Sequence, residues 1–475
     1  MDVHDGYRYI VAQSGQHHFH YSHLSCSCKS ALGPMSNSEF GSLCVLLVVL
    51  LGAAHLLGYL FVRMRQPRVV GEILAGVLLG PSVFGHFFPD SSMVQAFSSA
   101  GASHAIVANQ SALGFLFNLG LLLLMFVSGA ETKGLFRKDD RRELTFLGLI
   151  GTGLPFVMAL IVFPFVPRSL MIGKAGQSTS LLLVVGIATA VTSIPVISRI
   201  LRDLGILQTR FARLVLGVAV CEDIFLWAVL AIAVSLAKDG SVPGTVIALH
   251  TVQTLTYLAI GLFIMPSVLG WLNRSKWNPF AVTSPIAYIC LVLLSYAAIA
   301  TVLDVSLVFA AFLAGFGLAK STDSFHQAFD TVSKTAFAIF IPIYFALVGS
   351  KLDLSRYFSF KLLIGFLTAA CVVKLLSAGL GSRLAGFSWS DSLNLSVALN
   401  ARGGPGIVLA SVAFEAGIVN SSFYTTLVLV ALVTSQLAGA WLDLVLRKGW
   451  PLLSESKVST PDSRPVEAPV YEPAA

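Results

Sequence analysis

Charge is scarce in this chain. Only 12% of its 475 residues are Asp, Glu, Lys or Arg, about half of the roughly 25% usual in a soluble domain. With 56% of the residues hydrophobic, that scarcity argues against a soluble enzyme and against a disordered chain. Cysteine is scarce as well. Four of the six, Cys44, Cys221, Cys290 and Cys371, lie in apolar stretches, so no disulfide framework is implied. Segments of about ten alternating residues, the mark of an outer-membrane barrel, are missing. So is any Gly-x-x-x-x-Gly-Lys-Ser/Thr run, and no nucleotide or other cofactor is expected.

What the chain has instead is apolar runs, one after another, from residue 42 onward. A membrane-crossing helix needs about 20 apolar residues. Inside lipid the backbone must satisfy its own polar groups, which selects helices. The reading is an all-α integral membrane protein. Thirteen spans are expected, near 42–62, 69–85, 111–130, 143–166, 181–201, 212–236, 247–270, 282–302, 305–319, 334–350, 360–383, 390–416 and 421–446. The break at Asp304 is the weakest boundary. The chain thus divides into a polar N-terminal tail (1–40), a transmembrane domain (41–448) and a short C-terminal tail (449–475). Both tails are expected to be disordered, with no soluble domain attached. The first carries His4, His17, His18, His20, His23, Cys26 and Cys28, but no second ligand pair follows at zinc-finger spacing, so no metal site is expected. It lacks the pattern of a signal peptide, and Met35-Ser36-Asn37-Ser38 reads as a second start.

The net charge of +7 is a matter of topology. One alternating set of loops carries Arg63, Arg65, Arg68, Lys133, Arg137, Lys138, Arg141, Arg142, Arg199, Arg202, Arg210, Arg213, Arg274, Lys276, Lys320, Lys334 and Arg383. The other carries only Arg168, Lys174, Lys238, Lys351, Arg356 and Lys361. Lys and Arg concentrate in cytoplasmic loops. This places the N-terminus outside and the C-terminus in the cytoplasm, in a multi-pass protein of the cell membrane. The positive charges are thereby accounted for, and no nucleic-acid partner is expected.

Charges within spans are expensive and by default functional. Those here are Glu72, Glu222, Asp223, Lys374, Arg402 and, near an end, Asp443. Glu222 and Asp223 stand side by side in the otherwise apolar run Leu214–Leu230. A lysine pairing that ties helices together would explain one carboxylate but not two. Adjacent carboxylates repel, so a proton competes with a cation for the site. Two spans also contain helix breakers at mid-depth. The first holds Thr189, Thr192, Ser193 and Pro195. The second reads Asn400-Ala401-Arg402-Gly403-Gly404-Pro405-Gly406, where Gly and Pro make a continuous helix costly. An odd number of spans separates the two, so equivalent elements face opposite ways. Paired broken helices in inverted repeats mark a secondary transporter.

Taken together, these motifs resemble the second monovalent cation:proton antiporter family. Val69-Val70-Gly71-Glu72-Ile73-Leu74-Ala75-Gly76, ending Leu79-Gly80-Pro81-Ser82, is similar to its second-helix signature. Val191 to Val196 resembles its first broken helix and Asn400 to Gly403 its second. Glu222-Asp223 sits where the family has Asp-Asp, Asn-Asp or Gln-Asp. Ile341 to Phe345 and Lys374 match two further segments. The resemblance spans about residues 42–446. It implies two inverted six-helix repeats with crossed broken helices, exchange of Na+ or K+ for H+ by alternating access, and a homodimer. It also implies that Asp223 binds cation and proton alternately and that Thr192 lines the site with its hydroxyl. Lys374 would neutralise the carbonyl ends of the broken helices, which carry partial negative charge, and pair with the first carboxylate. Glu72, Arg402 and Ser193 are read as gating or structural. Lys351 and Asp353 are read as surface charges.

Two departures stand out. Glu222 occupies a position where relatives have Asp or Asn, and Gly404-Pro405-Gly406 follows where many have an acidic residue. If Glu222 ionises during the cycle, exchange is electrogenic; if it stays locked to Lys374, exchange is one-for-one. The ionisable side chain, where an amide would serve a structural role, tilts the expectation towards the electrogenic case. Rival readings are efflux of an organic cation or ion-carrying metabolite on the same scaffold, and a cation channel. An intramembrane enzyme is a further class, but His55, His86, His104 and His250 lack metalloprotease spacing, and Ser193 and Ser306 have no adjacent base.

Overall fold

A computed structural model of the chain describes residues 36–64, 66–88, 104–131, 140–238, 244–274, 278–303, 305–319 and 322–454. The His- and Cys-bearing tail to residue 35, the tail from residue 455, Arg65, Lys133, Arg137, Lys138, Lys276, Asp304 and Lys320 lie outside the described residues.

Among the described residues the structure is helical, with one isolated antiparallel bridge between Ile172 and Val419. The helices are α1 (Asn37–Arg63), α2 (Arg68–Leu79), α3 (His104–Ala130) and α4 (Arg141–Phe165). Next come α5 (Ser178–Ala190), α6 (Ile194–Asp203), α7 (Arg210–Lys238) and α8 (Val252–Arg274). Then follow α9 (Pro285–Val302), α10 (Leu307–Ala319), α11 (Phe325–Ser350) and α12 (Phe360–Ala385). The last are α13 (Trp389–Ala398), α14 (Gly403–Glu415) and α15 (Ser421–Arg447). By length and apolarity ten helices qualify as membrane spans, or eleven if α13 and α14, bent by 42°, count as one. Thirteen were expected. The difference lies where the expected fifth span is two short helices, α5 and α6, and where α10 has only 13 residues.

Local chemistry sets the ends. α1 starts at Asn37, before the expected residue 42, because Ser36 and Glu39 form a reciprocal capping box. Such a box satisfies amides that the helix itself leaves open. Ser388 and Asp391 do the same for α13. Ser359 caps α12, and Asn420 caps α15.

The helices pack in two groups. One gathers α1, α2, α3, α9, α10 and α11, with α8 packed on α10; the other gathers α4 to α7 with α12 to α15. The first group is held by close backbone approach. A Cβ placed on Gly76 of α2 would lie 1.7 Å from the Ala346 carbonyl oxygen of α11. One on Gly349 would lie 2.0 Å from that of Ile73. Gly129 of α3 and Gly315 of α10 form a second reciprocal pair, 2.1 and 1.9 Å from the Phe312 and Phe126 oxygens. In lipid there is no hydrophobic force between helices, so contact of this kind supplies the attraction.

Gly76→Ala is therefore expected to destabilise the protein by about 3 kcal/mol, the upper end of ordinary overpacking. Gly41→Ala on α1, whose Cβ meets nothing within 4 Å, should be neutral. Thermal unfolding of the two purified variants in detergent checks the contrast.

Candidate functional site

Each broken helix stops shortly before a proline, five residues before Pro195 and seven before Pro405. Proline has no amide hydrogen, and its ring collides with the carbonyl of residue i−4. For Pro195 that carbonyl belongs to Val191, and for Pro405 to Ala401. Accordingly α5 ends at Ala190, with Val191 and Ser193 extended, and α6 resumes at Ile194. α13 ends at Ala398, and α14 resumes at Gly403.

The two breaks touch. The Ser193 amide donates to the Ala401 carbonyl at 2.6 Å, and the Thr192 hydroxyl donates to the Leu399 carbonyl. The Gly404 amide donates to Ser193 Oγ at 3.0 Å. At Gly403, φ is +29°, and a Cβ there would sit 2.4 Å from Val196 Cγ2. Glycine is what admits both the turn and the crossing. From α15, Thr434 Oγ1 and Ser435 Oγ accept from the Arg402 and Gly403 amides at 3.3 and 3.1 Å.

A broken helix exposes carbonyls at its C-terminal end, equivalent to roughly half a negative charge. Two buried cations meet the end of α5. Arg402 Nε donates to the Ala188 carbonyl at 2.9 Å, and Nη2 donates to those of Thr189 at 3.1 Å and Ala370 at 2.9 Å. Its Nη1 donates to Asn400 Oδ1 at 2.8 Å. Lys374 Nζ donates to the Ala190 carbonyl, to the Gly151 carbonyl at 3.1 Å and to Glu222 Oε1 at 2.6 Å. An ammonium has three hydrogens, and each has an acceptor here.

The carboxylates of α7 differ. Glu222 Oε1 takes Lys374 and also the Thr152 hydroxyl at 2.7 Å. Asp223 is 1% exposed, and neither of its oxygens has a hydrogen-bond partner. Among the described residues it is the one buried carboxylate in this condition. A buried, unpaired carboxylate is strongly disfavoured, so this site calls for a proton or a cation.

The structure thus brings Thr192, Ser193, Lys374 and Arg402 to the crossing, with Glu222 joined through Lys374. Glu72 stands apart on α2, in the other group, paired with Arg68 at 2.9 Å. Lys351 pairs with Glu415 at 3.0 Å, while Asp353 caps the short helix Leu354–Tyr357. Asp443 pairs with Arg447 near the end of α15 at 2.6 Å. Sequence reasoning missed Thr152 and the α15 hydroxyls. Gly151-Thr152-Gly153 lies in a π turn of α4, Leu149–Gly153, and Thr434-Ser435 interrupts an apolar run. Of these only the adjacent hydroxyls of Thr434-Ser435 stand out in the sequence.

The profile of the family described as "Sodium/hydrogen exchanger, transmembrane" matches residues 46–448. The chain is 26% identical to K(+)/H(+) antiporter 1 of Saccharomyces cerevisiae over 472 residues, 94% of this chain and 50% of that protein. It therefore spans about half the length of that relative. It is 27% identical to the Na(+)/H(+)-K(+) antiporter GerN of Bacillus cereus over 393 residues, 82% of this chain and 93% of the relative. In fold it is similar to the sodium proton antiporter MjNhaP1 of Methanocaldococcus jannaschii. The TM-score is 0.59 at 12% identity, covering 86% of this chain and 99% of that one.

Lys374→Ala removes the only ion-pair partner that Glu222 has among the described residues. Breaking a buried pair costs about 3–5 kcal/mol. A large fall in melting temperature is expected, with partial rescue by Glu222→Gln. An unchanged melting temperature in the single variant would show that the pair does not hold the site.

Proposed function

The chain belongs to the sodium/hydrogen exchanger family, and from that premise we propose that it exchanges a monovalent cation, Na+ or K+, for protons across the membrane by alternating access. The observation that carries this reading is Asp223, buried with both oxygens unpartnered. A proton neutralises it in one half-cycle and a cation in the other, so the two compete and their movements are coupled. Thr192 gives its hydrogen to Leu399, which leaves its lone pairs as an acceptor for the cation. Na+ and K+ are the cations named for the relatives, and they are taken as the cargo here.

The group bearing Asp223 moves against the group bearing α1, α2, α3 and α11. A cavity of about 360 Å3 lies between them, lined by Gln66, Pro67, Arg199, Leu204 and Asp443. It opens beside the loops rich in Lys and Arg, and we assign that side to the cytoplasm. The N-terminus is then outside and the C-terminus inside. The inverted six-helix repeats and the homodimer belong to this same proposal.

Lys374 and Thr152 both hold Glu222 Oε1. This supports a structural Glu222 and one-for-one exchange, in place of the electrogenic case that the sequence favoured.

Asp223→Asn is expected to abolish cation-driven proton movement in proteoliposomes while leaving insertion and folding intact, because an amide coordinates a cation but carries no titrating proton. Near-parental flux in that variant would falsify the assignment. A second outcome concerns voltage. With Glu222 locked, Na+-driven proton flux should be the same with and without a potassium–valinomycin clamp; flux that follows the imposed potential would restore Glu222 or Lys374 as a second proton carrier.

A further inference from the structure

We infer that the cavity between α4, α5 and α12 is a binding site for the acyl chain of a phospholipid whose phosphate sits on Lys361. The cavity has a volume of about 500 Å3. Its walls include Met158 and Val162 of α4, Val185 and Thr189 of α5, and Phe366 and Val373 of α12. This inference does not depend on the exchange activity, only on the chain lying in a membrane.

The polar groups are arranged as an amphiphile requires. Ser359 and Lys361 stand at one end, at the start of α12. Lys361 is exposed, and among the described residues it has no carboxylate partner. The deep end is apolar. Its one hydroxyl, on Thr189, is already donated to the Gly186 carbonyl at 2.8 Å. A water there would find few of the two to four polar partners that hold a buried water. A cation path would need oxygens that the walls do not offer.

The dimensions fit a chain. From Lys361 to Val373 the α12 axis rises roughly 18 Å at 1.5 Å per residue, about the depth of one leaflet of a hydrocarbon core roughly 30 Å thick. The cavity's inner end meets Thr189, whose carbonyl holds Arg402, and Val373, the neighbour of Lys374. An occupant therefore packs against the elements that carry the site's cations. Charge complementarity at the mouth selects a phosphate, and an anionic lipid over a zwitterionic one.

Gly365 offers a direct test. It lines the cavity, and a Cβ on it meets nothing within 4 Å, so Gly365→Phe fills the space without straining the helix. Native mass spectrometry of the full chain in mild detergent, titrated with palmitoyl-oleoyl phosphatidylglycerol, reads binding. The parent should bind one such lipid more tightly than phosphatidylcholine and should not bind the dihexanoyl analogue. Gly365→Phe should lose this binding, and Lys361→Ala should weaken it about tenfold, the loss typical of one charge-assisted hydrogen bond. Unchanged phosphatidylglycerol binding in Gly365→Phe overturns the site. Equal binding of the dihexanoyl analogue overturns the acyl-chain contact, and equal binding of phosphatidylcholine, whose phosphate is offset by its choline cation, overturns the selection for an anionic headgroup.

Discussion

The carbonyl end of α5, laid open in the middle of the bundle, is the constraint on which the rest of the second helix group depends. Three consecutive carbonyls, of Ala188, Thr189 and Ala190, lose their helical partners where the chain turns extended at Val191 and Ser193, and are answered by Arg402 and Lys374. Arg402 comes from the other break, so neutralising one helix end also fixes the second. Lys374 comes from α12 and brings Glu222 with it. With Lys374 committed to the carbonyls and Glu222, no cation among the described residues pairs with Asp223. The unpaired aspartate is a consequence of how the charges are already used.

The two helix groups are held together differently within themselves and between themselves. Inside the first, Gly76 with Gly349 and Gly129 with Gly315 bring backbones into contact that even one methyl group would prevent. Inside the second, a buried ionic network joins four helices. Polar contacts also cross between the groups. The Tyr424 hydroxyl reaches the Val348 carbonyl at 3.5 Å, and Lys351 meets Glu415 at 3.0 Å where both are substantially exposed. Exposed pairs are worth about 0–1 kcal/mol. The two groups also share one continuous apolar core.

Much of this was legible in the sequence, for physical reasons that can be named. The membrane class follows from apolar runs, and both breaks follow from Pro195 and Pro405. Glu222, Asp223, Lys374 and Arg402 announce themselves because charge inside a span is costly. Thr152 did not, since a threonine in an apolar run is ordinary and only its placement beside Glu222 makes it polar chemistry. The partner of Lys351 was equally hidden: Glu415 is near it in space, not in sequence. The span count of thirteen followed hydropathy, which registers α5 with α6 as one run and has no measure of where a helix is too short to cross alone. The reciprocal glycines were visible as residues, but which helix each one faces is a matter of packing.

The central claim is that proton and cation compete for one carboxylate. Proton release on cation binding tests it most directly. Calorimetric titration of the detergent-purified chain with Na+, and separately with K+, in two buffers of different ionisation enthalpy reports how many protons leave as the cation enters. The account predicts that binding of the transported cation releases a proton and weakens steadily as pH falls. Cation binding with no proton release, at an affinity that does not change with pH, would contradict it.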